Sequence, residues 1–174
     1  MAGGEVRLQE ETGMAQKIPE GFNTVSTYLI VKDAKEALDF YQKAFGAEAG
    51  AHMPGPEGQG TMHAEMRIGN SMVMLTDENP QWEMKAPETL GGSPASLHMY
   101  VEDADKAFQR AIDAGCTVAA PLMDAFWGDR YGKVKDPFGH QWGIATHVED
   151  VEPAEMGKRA AAWFAEMAGG ECPE

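Results

Sequence analysis

The chain has 174 residues, with 14 Lys and Arg against 28 Asp and Glu and a net charge of −14. That length holds one domain or two small modules sharing a core, and that charge repels phosphate backbones and anionic membrane surfaces, so neither nucleic acid nor a membrane is an expected partner. A hydrophobic content of 43% without any run of the roughly 20 apolar residues a bilayer span needs indicates a packed globule, and two cysteines are too few for a disulfide scaffold, which makes the cytoplasm the expected compartment.

In chain order, residues 1–19 read as a flexible leader; of these, 1–13 precede a second methionine, Met14, and are either a mobile tail or the product of an upstream start. A strand signal at 25–31 runs into a helix with Asp33 as N-cap, apolar positions at Ala34, Ala37, Leu38, Tyr41 and Phe45, and Gly46 as its stop. Strands follow over 61–68 and 71–76 around the turn Gly69-Asn70, closing a first module at 20–80. The Pro- and Gly-containing stretch 81–94 reads as a linker.

The second module, 95–150, opens with a strand at 97–101. Its helix is capped by Asp103, carries Ala104, Ala107, Phe108, Ala111 and Ile112 on one stripe, and stops at Gly115. Strands are expected over 117–119, 132–135 and 141–146, the last pair joined by Pro137-Phe138-Gly139. In 151–174, Pro153 and the apolar spacing of Met156, Ala160, Trp163, Phe164 and Met167 predict an amphipathic C-terminal helix followed by a tail, the helix laid over a module or a partner chain.

The two modules are one motif written twice. Val31-Lys-Asp-Ala-Lys-Glu-Ala-Leu38 and Val101-Glu-Asp-Ala-Asp-Lys-Ala-Phe108 agree at Val, Asp and both Ala positions with an offset of 70 residues. Each half is therefore strand, helix, then two or three strands, and the fold class is α+β.

Phe40-Tyr41-x-x-Ala44-Phe45-Gly46, His63-Ala64-Glu65, Gly128-Asp129-Arg130 and Asp136-Pro-Phe-Gly-His-Gln-Trp142 through Ala145-Thr-His147, set in this duplicated frame, resemble the vicinal oxygen chelate superfamily. That group includes glyoxalase I, bleomycin-resistance proteins and extradiol dioxygenases, and the strings are similar to its PhnB-like branch over about residues 22–150. The resemblance implies paired βαβββ modules whose mixed sheets curl around a central cup, often in a homodimer. It fixes no function, since the superfamily holds enzymes and plain binders alike.

Metal-dependent members hold a divalent ion with one side chain from the first and the last strand of each module. The resemblance places these positions at Ser26, Met74, Ser96 and Gly143. Hydroxyl, thioether and hydrogen are poor ligands beside imidazole and carboxylate, so no metal and no cofactor is expected.

Strand alternation puts Tyr28, Ile30, His98 and Tyr100 on the cup side and leaves Leu29, Val31, Leu97, Met99 and Val101 under the helices. On 62–68 the same alternation points His63 and Glu65 into the cup. Phe126-Trp127-Gly-Asp129-Arg130-Tyr131 sets aromatics beside a guanidinium, suited either to gripping a planar or anionic ligand or to fixing a loop.

The candidate ligand-binding residues are thus Tyr28, His63, Glu65, His98, Tyr100, Trp127, Asp129 and Arg130, binding a small amphipathic or anionic molecule without metal. Two alternatives stand beside this reading. One is a metal-dependent lyase, isomerase or dioxygenase on a displaced His63, Glu65 and His98 site; the other is a structural or interaction protein with a vestigial cup. His52 and His140 read as exposed loop residues, Trp142 as core, and His147 as a rim residue without assigned chemistry.

Overall fold

A computed structural model describes residues 15–168. Most of the expected leader and the tail after Ala168, including Cys172, lie outside the described residues. The first half runs β1 (Thr27–Val31), α1 (Ala34–Phe45), β2 (Glu48–Pro54), β3 (Thr61–Ile68) and β4 (Ser71–Asp77); a short helix α2 (Pro87–Leu90) follows. The second runs β5 (Ser96–Tyr100), α3 (Ala104–Ala114), β6 (Thr117–Asp124), β7 (Asp129–Lys135) and β8 (Gln141–His147), then α4 (Pro153–Ala168).

The sequence repeat is a repeat in space. Each half forms a four-stranded mixed sheet, ordered β1-β4-β3-β2 and β5-β8-β7-β6, with its first strand parallel to its last and the other pairings antiparallel. The two sheets are unclosed and separate, so the curled sheet expected from the sequence is two sheets whose first strands, β1 and β5, both stand at an edge.

Local chemistry sets the helices as the sequence predicts. The Asp33 carboxylate accepts the Glu36 N–H at 2.9 Å, and Asp103 accepts the Lys106 N–H at 3.0 Å, satisfying donors that a helix start leaves unpaired. Gly46 ends α1 with φ of 68°, a left-handed conformation that side chains disfavour.

Ala34, Ala37, Leu38, Tyr41 and Phe45 are all buried on α1, as are Leu29 and Val31 beneath it. They join Phe108, Val134, Trp142 and Ile144 of the second half in a single core. Helices α1 and α3 pack directly together, and the Arg110 guanidinium on α3 donates from Nε to the Ala44 carbonyl at 2.8 Å, covering the end of α1. The modules therefore fold on one another rather than as separate beads.

Four features depart from the sequence reading, the first being that β7 starts at Asp129 rather than at 132. Strand β2 carries no alternation because it is an exposed sheet edge along its whole length, and β6 runs five residues beyond the expected 117–119. His140 is buried at 7% exposure, close against the Ile30 carbonyl at 3.3 Å, because the β7–β8 turn folds back onto the free edge of β1.

Helix α4 is amphipathic yet has no buried residue. It is held by Trp163 and Phe164 against Phe126 and by a bidentate Arg159–Glu149 pair at 2.7 and 2.8 Å. Among the described residues, no helix is long and apolar enough to cross a membrane.

Candidate functional site

Between the edge strands β1 and β5 lies a cleft of about 990 Å³, with Tyr28, His98 and Tyr100 on its walls and Phe45, Trp142 and His140 among the groups that close it. Leu29, Leu97, Met99 and Val101 border the same space, so residues of both strand parities line it. Leu29 and Val31 are buried under the helices, whereas Tyr28 and Tyr100 remain 44% and 65% exposed. Exposed aromatics on a strand face are a large unburied apolar surface and call for an occupant.

The face of the first sheet carries a short polar chain. His63 Nε2 lies 3.1 Å from Glu65 Oε1 and its Nδ1 3.4 Å from the Tyr28 hydroxyl, so the ring bridges the two. His63 and Glu65 sit two apart on β3 and so share its face, and Met74 lies opposite both Tyr28 and Glu65 in register. Tyr28 thus connects His63 and Glu65 to the cleft wall.

The face of the second sheet is an aromatic ladder. His98 stacks on Tyr131 with centroids 5.7 Å apart and planes 9° apart, and it meets Tyr100 at 4.8 Å; Tyr131 in turn meets Trp127 at 5.4 Å. Gly143, opposite His98 in register, makes the stack possible: a Cβ there would lie 2.9 Å from His98 Nδ1 and 3.0 Å from Tyr131 Cε2.

At the end of this face Asp129, 2% exposed, collects three donors. The Tyr100 hydroxyl and Trp127 Nε1 donate to its Oδ2 at 3.0 and 2.8 Å, and His147 Nδ1 donates to its Oδ1 at 2.8 Å. Burial pushes the Asp129 carboxyl upward, but the hydrogen bonds from His147, Trp127 and Tyr100 outweigh it and hold the group below its usual value. The hydrogen bond to Asp129, then that to Asp150, raises the His147 imidazole above its usual value.

The structure therefore gathers Tyr28, His98 and Tyr100 at one cleft, with His63 and Glu65 behind Tyr28, and Trp127 and Asp129 behind Tyr100. Arg130 goes elsewhere. Its guanidinium holds Asp105, at the start of α3, through Nη2 at 2.8 Å and Nε at 3.1 Å, and reaches Asp124 at 3.3 Å. It fixes the β6–β7 corner, because residue 130 points to the helix side of β7 while 129 and 131 point to the open face.

The site also includes two residues to which sequence reasoning gave no role in it, His140 and His147. The Asp129–His147 pairing was available by counting strand register outward from Pro137-Phe138-Gly139. No local signal pointed to His140.

The donor set for a divalent ion does not fit. The Ser26 hydroxyl is turned to the Asn23 carbonyl at 3.2 Å, Met74 offers a thioether, Ser96 faces the Gln141 carbonyl at 3.4 Å, and the space over Gly143 is filled by His98 and Tyr131. Among the described residues, no three His, Cys, Asp or Glu side chains are placed to hold an ion together.

Comparison with known proteins gives the frame. The sequence model of the glyoxalase/bleomycin resistance protein/dioxygenase superfamily matches residues 21–144. An uncharacterised protein of Mycobacterium tuberculosis strain H37Rv is 46% identical over 135 residues, covering 76% of this chain and 79% of its own.

Among solved structures, TioX from Micromonospora sp. ML1 is 25% identical with a TM-score of 0.57, over 72% of this chain and 99% of its own. The PhnB protein of Bacillus cereus shares the fold at 18% identity and a TM-score of 0.55, over 71% and 99% of the two chains. Helix α4 lies beyond the region that the family model matches.

Proposed function

The chain belongs to the glyoxalase/bleomycin resistance protein/dioxygenase superfamily, and from that membership we propose that it is a PhnB-like member that binds a small amphipathic molecule in the cleft between β1 and β5 without a metal. The observation that carries this reading is the composition of the cleft. Its volume, about 990 Å³, is at the upper end of the roughly 300–1,000 Å³ typical of small-molecule sites. Its walls present Tyr28, His98 and Tyr100 beside the apolar Leu29, Leu97 and Met99, and the positions that the resemblance assigns to a metal, Ser26, Met74, Ser96 and Gly143, carry no imidazole or carboxylate.

A cleft open between two sheet edges needs a second wall, and we assign that wall to a partner copy in a homodimer. The exposed aromatic face of the second sheet and the exposed Tyr28 on β1 support this, since aromatic strips are surfaces proteins cover. Light scattering on the purified protein should then give about twice the chain mass of 18.9 kDa.

The test of binding is a thermal-shift screen of small aromatic and amphipathic compounds against the wild type and the Tyr100→Ala and His98→Ala variants. A ligand at 100 times its Kd stabilises by about 2.7 kcal/mol, which in a chain of this size is a rise of about 5–10 °C. The rise should shrink in both variants. A screen without hits, or hits indifferent to both substitutions, contradicts the reading.

A further inference from the structure

Among the described residues, His147 is the one imidazole whose two nitrogens both face carboxylates. Nδ1 lies 2.8 Å from buried Asp129 and Nε2 3.1 Å from Asp150, and both nitrogens donate when the ring is the imidazolium. The two partners differ sharply. Asp129 is 2% exposed and locked by two further donors, whereas the Asp150 side chain is fully exposed, three residues along the chain, and holds nothing besides His147 among the described contacts.

A surface carboxylate in that position contributes little, because solvent screens it and ordering it costs entropy. The inner partner fixes the ring's orientation and keeps Nε2–H pointed outward, while the outer one is easily replaced. Asp150 thus stands in for an incoming carboxylate, and the exchange adds no charge to the contact, since one carboxylate takes the place of another. The neighbouring Glu149 is already committed to Arg159.

The anchor adjoins the cleft through Tyr100, whose ring lines the cleft and whose hydroxyl shares the Asp129 carboxylate with His147. Tyr100 and His147 hold the two oxygens of one carboxylate, Oδ2 and Oδ1 of Asp129. A chain with net charge −14 does not attract anions in general, so an acid needs a dedicated donor of this kind.

We propose that His147, oriented by Asp129, is a carboxylate anchor at the end of the second sheet face, and that the ligand class is a planar aromatic acid whose carboxylate displaces Asp150. This rests on the cleft reading above and narrows it. Asp129 acts here as a positioning residue, and His147 is the group that touches the ligand.

The test is calorimetric titration of 2-naphthoate and of its neutral counterpart 2-naphthamide into wild type, His147→Asn and Asp150→Asn. Asparagine at 147 keeps an N–H for Asp129 and so preserves the buried cluster, which unchanged thermal melting would verify, but it has no donor at the Nε2 position. Hydrogen bonds to charged groups are worth enough that naphthoate should weaken about tenfold or more in His147→Asn. Naphthamide should change by less than about twofold, and Asp150→Asn should tighten naphthoate by about threefold through loss of the competing carboxylate.

Naphthoate and naphthamide binding alike in all three proteins would overturn the anchor and leave the cleft reading standing. Neither probe binding the wild type would overturn the anchor, and the cleft reading falls with it only if the thermal-shift screen also gives no hit.

Discussion

The Tyr41 hydroxyl on α1 donates to Asp136 Oδ2 on the β7–β8 turn at 2.8 Å, across 95 residues of sequence and inside the core. The same carboxylate accepts Trp142 Nε1 at 2.9 Å and the backbone N–H groups of Phe138 and His140 at 3.0 and 2.9 Å. Burial, then the adjacent Asp136 carboxylate, pushes the Tyr41 phenol well above its usual pKa. Asp136→Ala would strand four donors in the core and should cost about 3–5 kcal/mol in urea unfolding; Tyr41→Phe, which removes one donor, should cost about 1.5–3 kcal/mol. Losses under 1 kcal/mol for both would show that the knot does not join the modules.

Cys116 borders this knot. Burial, then the Asp136 charge, pushes its thiol up to about 12, so almost no thiolate exists at neutral pH. In a Cys172→Ser background, native protein at pH 8 should give no fast reaction with Ellman's reagent, and one thiol should appear on denaturation. Rapid stoichiometric labelling of the native state would contradict the burial.

Gly143 is the floor of the His98–Tyr131 stack. Gly143→Ala puts a methyl group within 2.9 and 3.0 Å of the two rings, which must part. We expect a stability loss of about 1–3 kcal/mol and weaker binding of any cleft ligand that contacts His98. Ring-current shifts of the Tyr131 protons, read by NMR, should collapse in the variant; retained shifts would mean the stack has room to spare.

The His147–Asp129 pair makes a signed pH prediction. The folded pKa of His147 is raised above the ordinary value of about 6.5, first by Asp129 and then by Asp150. Its contribution to stability is therefore complete below about pH 6.5 and is lost as pH rises through the folded value. An NMR titration should place the His147 midpoint above 6.5, lower it most in Asp129→Asn, and lower it less in Asp150→Asn. A midpoint at or below 6.5 in the wild type contradicts the pairing.

Much of this architecture was legible in the residues themselves. Asp33 and Asp103, the apolar stripes of α1 and α3, and the 70-residue offset locate both modules because caps and periodicity are local properties. Tyr28, His98 and Tyr100 stand at exposed positions of β1 and β5, where alternation reads them.

Arg130 shows where such reading runs out. Composition set it beside Trp127 as a ligand grip, but strand parity turns it toward Asp105, and the start of β7 could not be read without its hydrogen-bond partners. Strand β2 was invisible because an exposed edge has no buried face to impose a pattern.

Amide NMR mapping of 2-naphthoate binding tests the central claim, a metal-free cleft between the two sheet edges, most directly. On addition of the acid to metal-stripped protein, the largest shift changes should fall on Tyr28, on His98 through Tyr100, and on Asp129 and His147. Changes confined to other surfaces, or binding that appears only after a divalent metal is restored, would contradict it.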